Sequence, residues 1–216
     1  MAETKAGSRR TKDKAPSTRE EQVVDRRRSL LEAAVRVISK RGLIGVTINS
    51  IAAEAQCSYG VVAFHFQSKE GVIFAALDHV AAEYEAYTTK LSGSKLGPAS
   101  RLRAMIDTDF SRKAAGQSTI ALWLSFWAEA VRVPSYRKRC GALREHYNGI
   151  VAADVAELAV SRGIEVEAEK VALTLNALIS GLWIETLLAS SSVTDSQKRG
   201  HEICLDLMRR IFPEDF

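Results

Sequence analysis

Residues 47–66 constrain the fold of this chain more than any other segment. Apolar residues recur there at helical spacing on both sides of Gln56-Cys57, where small neighbouring side chains leave room for two helices to approach closely. Thr47 is a typical cap for the first of these helices, and Ser58 begins the second. Two short helices joined by such a tight corner are typical of a helix-turn-helix.

The remaining sequence is also helical in pattern. Its 216 residues include only 4 prolines and 13 glycines, and we find no alternating strand pattern of useful length and no internal repeat. Besides the two short helices, helices are predicted at about 25–40, 69–91, 99–114, 118–132, 135–162, 166–189 and 194–212. The sequence therefore predicts an all-α fold of about nine helices, with boundaries accurate to a few residues.

The start of the second short helix has side chains that suit contact with DNA. The hydroxyls of Ser58 and Tyr59 reach phosphates or base edges, and Gly60 lets the helix backbone come near a groove. Thr47 can bind a phosphate while it caps its own helix, and Lys69 can hold another phosphate. These five residues are candidate DNA contacts.

The basic charge of the chain is concentrated at its amino end. Residues 1–28 contain nine Lys or Arg and five Asp or Glu, so their balance of 9 − 5 = +4 equals the net charge of +4 of the whole chain. A basic arm next to such a motif is typical of proteins that neutralise DNA phosphates, and a solvated tail is the alternative interpretation. Because residues 1–22 are polar and poor in apolar groups, we expect them to be disordered.

A series of short motifs occurs in a fixed order between residues 26 and 75. They are Arg27-Arg-Ser-Leu-Leu-Glu-Ala-Ala, Gly42, Thr47-Ile-x-x-Ile-Ala-x-x-Ala, Ser58-x-Gly60 and Phe66-x-x-Lys69. In this order they resemble the TetR family of repressors. The resemblance implies a DNA-binding domain at 23–70 with its helix-turn-helix at 47–66, a ligand-binding and dimerisation domain at 71–216, and a homodimer on a palindromic operator. Arg27 and Arg28, at the start of the first motif, join the candidate DNA contacts.

Two positions depart from the family pattern. Gln56 stands where the family usually has a glycine in a left-handed conformation, which costs a residue with a side chain about 1 kcal/mol. Phe64 replaces a residue that often contacts phosphate. His65 can donate a hydrogen bond in its place, and a partly buried structural role for His65 is equally consistent with the sequence.

All three tryptophans lie in two apolar segments, 122–130 and 175–184. Trp123 and Trp127 are four residues apart, so they share one helix face, and aromatic residues at this spacing most often form core. Together with Pro134, these segments are also similar to the BetI-like branch of the TetR family. That branch represses choline-to-glycine-betaine genes and senses choline, so the resemblance implies choline or another quaternary ammonium as effector.

A quaternary ammonium donates no hydrogen bond and is held by aromatic faces, each contributing about 1–2 kcal/mol when dry, and by a carboxylate. Asp109 is a candidate counter-charge because it falls on an apolar helix stripe, where a carboxylate needs a partner; a core arginine or a capping bond would serve as well. Glu185 stands where the BetI-like pattern often has Arg, so a different apolar or lipid-like effector stays open. The candidate walls of the site are Phe110, Trp123, Trp127 and Trp183.

Other features narrow the class of protein. Wide apolar faces on the last two predicted helices predict a dimer interface of four helices, and small Ala177 and Gly181 on the first of them allow a partner helix to come close.

The three cysteines, the four histidines and the polar residues show no disulfide, metal or catalytic spacing, so we expect no cofactor, no metal and no enzyme activity. No apolar run approaches about 20 residues and the amino end is no secretory signal, which favours the cytoplasm and no membrane partner. A helical adaptor that does not bind DNA is a further alternative.

Overall fold

The computed structural model describes residues 18–190 and 192–216. Within these residues the chain forms nine α-helices and no β-strand, which confirms the all-α prediction there. The predicted disorder of residues 1–17 lies outside the described residues. The helices are α1 (Arg19–Arg41), α2 (Ile48–Glu54), α3 (Tyr59–Phe66), α4 (Lys69–Ser92), α5 (Pro98–Asp109), α6 (Gln117–Arg132), α7 (Pro134–Arg162), α8 (Ala168–Leu188) and α9 (Val193–Ile211).

Helix α1 begins at Arg19, earlier than its apolar pattern predicts. The Glu21 N–H donates to Thr18 Oγ1 at 3.2 Å, and the Glu21 carboxylate accepts from the Thr18 N–H at 2.8 Å. This reciprocal cap satisfies two backbone donors that would otherwise lack partners. The expected limit of the disordered arm at residue 22 is therefore too late, because the cap is made by polar residues that an apolar pattern does not report.

Helices α2 and α3 form the predicted helix-turn-helix. At the start of α2, Thr47 and Ser50 exchange two hydrogen bonds of 2.9 Å between side chain and backbone. The corner keeps the left-handed conformation, with φ of 51° at Gln56. A β-carbon is crowded in this region, so Gln56 holds the corner at a cost of about 1 kcal/mol.

The corner between α3 and α4 requires a glycine. A β-carbon on Gly71 would lie 2.5 Å from the carbonyl oxygen of Phe66, and the Gly71 N–H donates to Ser68 Oγ at 3.0 Å. Because α4 starts in this tight contact with the end of α3, the position of α3 is tied to that of α4.

Two clusters of buried side chains hold the nine helices together. The first joins α1 to α4 with α6 and the start of α7, and it includes Leu30, Ile51, Phe66, Phe126 and Tyr136. The second joins α5, α7, α8 and α9, and Leu91 near the end of α4 belongs to it. Helix α4 therefore contributes to both clusters and connects them.

Helix α5 ends at Asp109, whereas the apolar pattern predicts an end near residue 114. The ring of Phe110 packs so closely on α9 that a β-carbon at Gly200 would overlap it. The chain then turns, and Ser111 accepts the N–H of Ala114 on its hydroxyl and that of Ala115 on its carbonyl. A contact with a helix nearly a hundred residues further along the chain thus ends α5, and Asp109 lies in its last turn.

Helix α8 is strongly apolar and mostly uncovered in a single chain. Among the described residues it is the one helix long and apolar enough to cross a membrane by length and composition, and only 22% of its most apolar stretch is buried. Leu173 and Leu188 are 55% and 76% exposed. The expectation that no segment reaches that composition is therefore wrong for α8.

Candidate DNA-binding surface and effector cavity

The amino end of α3 is exposed. Tyr59 is 57% exposed, Ser58 and Gly60 are exposed beside it, and the Ser58 side chain makes no capping hydrogen bond to its own helix. Among the described atoms, a β-carbon on Gly60 would meet only Ser58 Oγ, at 3.9 Å. The folded chain therefore has room for a side chain at this position.

Thr47 and Lys69 flank this surface at the starts of α2 and α4. Thr47 Oγ1 accepts the N–H of Ser50, which leaves its own proton for another acceptor. Lys69 makes no ion pair with any described residue. Both side chains are therefore available to phosphate oxygens.

The acidic residue of α2 is Glu54, and its carboxylate is paired with two basic residues of α1, which reduces its repulsion of an approaching anion. Arg36 Nε and Lys40 Nζ lie 2.8 Å and 3.3 Å from the Glu54 carboxylate. Their hydrogen bonds, that of Arg36 first, hold the pKa of Glu54 below its ordinary value.

The candidate contacts of α1 differ in their surroundings. The Arg27 guanidinium lies 4.8 Å from the centroid of the Phe66 ring, at the end of α3, whereas Arg28 pairs with Glu32 at 3.3 Å one turn along its own helix. Burial, followed by the charges of Arg27 and Arg26, lowers the pKa of His65. Arg27 thus lies against the end of α3 near His65, whereas Arg28 is engaged within α1.

A cavity of about 650 Å³ lies among α4, α5, α6, α7 and α8. Asp109, Trp123, Trp127 and Trp183 line it, so four of the five candidate effector residues meet there. Phe110 does not line it: a residue one step along a helix points about 100° away, and the ring of Phe110 contacts His201 on α9 at 6.4 Å between centroids. Glu185 is exposed and is not part of the wall.

Asp109 is a buried acid without a basic partner among the described residues. It is 3% exposed, the Tyr147 hydroxyl donates to its Oδ2 at 2.9 Å, and Trp183 Nε1 donates to its backbone carbonyl at 3.0 Å. Burial raises the pKa of Asp109 to about 7, although the hydroxyls of Tyr147 and Tyr84 act in the opposite direction. The carboxyl therefore changes charge near neutral pH.

Two tyrosines of the cavity wall are not predicted from the sequence. The rings of Tyr84 on α4 and Tyr147 on α7 lie 5.6 Å apart. The buried Tyr84 hydroxyl lies near enough to Asp109 to lower the pKa of that carboxyl, but it makes no hydrogen bond of ordinary geometry with a described residue. A buried hydroxyl whose hydrogen bonding is incomplete is costly. No local motif marks these residues, because the two helices that carry them are far apart in sequence.

Trp127 already faces a cation of the protein itself. The Arg144 guanidinium lies 5.8 Å from the Trp127 ring centroid and donates to Ser180 Oγ at 3.1 Å. Trp123 stacks on Trp127 with centroids 6.3 Å apart. The two rings and the guanidinium form one continuous part of the cavity wall.

The fold and its exposed helix-turn-helix are those of a DNA-binding transcription regulator. Residues 30–76 match the family described as bacterial regulatory proteins of the tetR family, and residues 98–213 match the family described as BetI-type transcriptional repressor, C-terminal. The chain therefore belongs to the TetR family and is a transcriptional repressor of its BetI type.

Individual relatives agree with this assignment. The HTH-type transcriptional regulator BetI of Paraburkholderia phytofirmans is 31% identical over 165 residues, which cover 76% of this chain and 83% of the relative. The BetI regulator of Burkholderia mallei is 32% identical over 167 residues, with coverage of 76% and 83%.

Solved structures share the fold. A transcriptional regulator of Pseudomonas aeruginosa PAO1 superposes with a TM-score of 0.75 at 24% identity, covering 91% of this chain and 93% of that one. A regulator from Saccharomonospora viridis, solved in complex with choline, has a TM-score of 0.76 at 22% identity, with coverage of 86% and 96%.

Proposed function

We propose that this repressor reads a palindromic operator as a homodimer and is released from it by a small quaternary ammonium cation. The observation that carries this proposal is the course of α4. It starts with Lys69 beside α3, and further along it supplies Glu83, Tyr84 and Tyr87 to the cavity wall. One helix therefore connects the candidate DNA surface to the candidate effector site.

The DNA-binding part is assigned to residues 23–70. Ser58, Tyr59 and Gly60 at the start of α3 would enter the major groove, where short side chains allow close approach. Thr47 and Lys69 would bind phosphates on either side, and Arg27 and His65 would add contacts at the end of α3. Arg28 contributes less on this proposal, because Glu32 already pairs with it.

The effector part is assigned to residues 71–216. A cation in the cavity would take Asp109 as its counter-charge and the aromatic rings as its walls, which is how proteins hold a group without hydrogen-bond donors. The Saccharomonospora viridis regulator, which shares the fold, is solved with choline, and this supports choline as the first compound to test. On this proposal the chain acts by binding alone and has no catalytic role.

Release would follow from a shift of α4. Two copies of α3 must lie about 34 Å apart, or a multiple of it, to enter successive turns of the groove. Effector contacts with the middle of α4 would move its start, which is locked to α3 at Gly71, and so change that separation. A coupling free energy of about 1–3 kcal/mol is typical for such control, and the effector must prefer the released state.

The homodimer would use the uncovered face of α8 and α9. Leu173, Leu188 and Ile203 are exposed there, and a β-carbon on the exposed Gly181 would meet no described atom within 4 Å. A partner helix can therefore come close to α8. Pairing of two copies covers this apolar surface without a membrane and is consistent with a cytoplasmic protein.

A mobility-shift assay with a palindromic fragment from beside the gene tests the DNA assignment. We expect Tyr59→Ala together with Lys69→Ala to weaken operator binding strongly. Gly60→Ala is a sharper variant, because its methyl group has room in the folded chain and would collide only with bound DNA. Full operator affinity in both variants would rule out α3 as the reading helix and favour a helical adaptor.

Titration of tryptophan emission tests the effector assignment, because all three tryptophans line the cavity. Choline and other small quaternary ammonium compounds are expected to change the emission and to release the operator. A response only to bulky apolar compounds would replace the cationic effector by an apolar or lipid-like one and leave the repressor assignment intact.

Sedimentation, which measures the oligomeric state, tests whether the chain forms a homodimer through the α8 face. Leu188→Glu places a charge on the α8 face and is expected to give monomers, whereas Val160→Glu on α7, where the side chain is 84% exposed, is the matched control and is expected to stay dimeric. Equal behaviour of the two variants would exclude the α8 face as the interface.

A further inference from the structure

Arg144 of α7 is a cavity-wall cation without an acidic partner. Its guanidinium lies over Trp127 and donates one hydrogen bond to Ser180, and it makes no ion pair with a described residue. The side chain is half-buried, so water solvates it only in part. A partly buried charge of this kind is stabilised by an anion.

Arg144 and Asp109 lie on the same part of the wall. Tyr147, which donates to the Asp109 carboxylate, follows Arg144 by three residues on α7. Residues at this spacing are neighbours on one helix face, with β-carbons about 5–6 Å apart. On α8, Ser180 accepts from Arg144, and Trp183, again three residues later, donates to the backbone carbonyl of Asp109. One cavity thus presents an acid and a base close together, each held by neutral side chains and neither paired with the other.

We propose that the effector carries both charges, with an ammonium at Asp109 and a carboxylate at Arg144. This inference rests on the proposed effector cavity and adds to it the chemical class of the ligand, a betaine-type zwitterion, and the residue that selects it. A plain cation such as choline leaves Arg144 without an anion and enters a site that already holds a positive charge. A carboxylate would instead meet the remaining donors of the guanidinium, whose planar fork matches its two oxygens.

The other lysine and arginine of the cavity wall are already engaged. Lys113 lies 2.8 Å from Glu83 and is already paired. Arg137 donates to the carbonyl oxygens of Ala130 and Val131 at 3.1 Å and 3.0 Å, and so caps the end of α6. Arg137 therefore provides a matched control, since it is another arginine of the same wall whose donors are engaged.

The test compares choline with a series of betaines of increasing spacer length between ammonium and carboxylate. Choline and the shortest betaine differ only in an alcohol against a carboxylate. Titrations use the full chain at pH 8, with tryptophan emission and operator release as the two readouts. A hydrogen bond to a charged group is worth about tenfold or more in affinity, so at least one betaine is expected to bind about tenfold more tightly than choline.

Two variants test whether Arg144 causes the preference for betaines over choline. Arg144→Gln is expected to remove the preference by weakening betaine binding about tenfold while choline binding stays the same or improves. Arg137→Gln is expected to keep the preference. Circular dichroism and operator affinity check that each variant folds. If Arg144→Gln does not fold, Arg144→Met, which is neutral and apolar enough to remain on Trp127, takes its place.

Two results would overturn the inference: betaines that bind the unmodified chain no more tightly than choline, or an Arg144 variant that weakens choline and betaine equally. In either case choline still releases the operator, and the proposed function stands. If neither choline nor any betaine binds, the quaternary ammonium effector itself is wrong. The two failures are therefore distinguishable.

Discussion

The replacement Asp109→Asn tests the central electrostatic feature of the cavity. Asn keeps the size of the side chain and fixes it in a neutral form. Its amide oxygen can accept from Tyr147, and its amide N–H can donate to the Tyr84 hydroxyl, which makes no hydrogen bond of ordinary geometry in the parent protein. The variant therefore mimics the protonated carboxyl at every pH.

The size of the effect follows from the pKa. Burial raises the pKa of Asp109 from 3.8 to about 7, so the folded chain holds a proton that the unfolded chain has released. The associated stability is fully present below about pH 4 and is lost as the pH rises through 7. The difference between the two pKa values corresponds to about 4 kcal/mol in the free energy of unfolding, of which about 2–3 kcal/mol is lost between pH 5 and pH 8.5.

Unfolding of the two proteins across that pH range, at one protein concentration and without ligand, measures this term. All other groups titrate in both chains, so the difference between the two unfolding free energies isolates Asp109. We expect the variant to gain about 2–3 kcal/mol relative to the parent chain from pH 5 to pH 8.5, or roughly 5–10 °C in melting temperature. A difference that stays constant with pH would refute the raised pKa.

The same ionisation controls binding of a cation. With a pKa of about 7, about one tenth of the Asp109 side chains are ionised at pH 6, so choline affinity is expected to be about tenfold weaker there than at pH 8. Binding to Asp109→Asn is expected to be weak and independent of pH. Equal affinity at both pH values in the parent chain would show that the cation does not use this carboxylate.

Three further predictions concern the fold and the DNA surface. Gln56→Gly relieves the left-handed corner and is expected to raise the free energy of unfolding by up to about 1 kcal/mol in a denaturant titration; a decrease would contradict the strain. Gly200→Ala forces its methyl group into the Phe110 ring and is expected to destabilise by about 1–3 kcal/mol, whereas Gly141→Ala, with open space around it, is expected to cost nothing; equal losses would disprove this packing. Lys69→Ala is expected to reduce the slope of log operator affinity against log salt concentration by about one, which corresponds to one lost phosphate contact. An unchanged slope would show that Lys69 does not contact the operator.

Much of the helical structure can be predicted from local sequence. Thr47 and Ser68 mark the starts of α2 and α4 because a cap involves only residues within one turn of it. The end of α5 is not predictable in this way, because Phe110 packs on Gly200 from α9. Gln56 shows the converse: tertiary packing keeps the corner left-handed although the residue disfavours it.

The residues of the candidate effector site are likewise predictable only in part. Trp123 and Trp127 are found from spacing, and Asp109 from its position on an apolar stripe. Tyr84, Arg144 and Tyr147 are not, because they are ordinary residues on long helices until the folded chain turns them into one cavity.

The all-α class, the helix-turn-helix and the family can be predicted from the amino-acid sequence, because capping, helical periodicity and motif order depend on residues close together in the chain. The folded structure alone shows which acid is buried, which arginine shares its cavity, and that α4 joins both surfaces. Water is excluded, and the pKa of Asp109 is raised, only where distant helices enclose the same space.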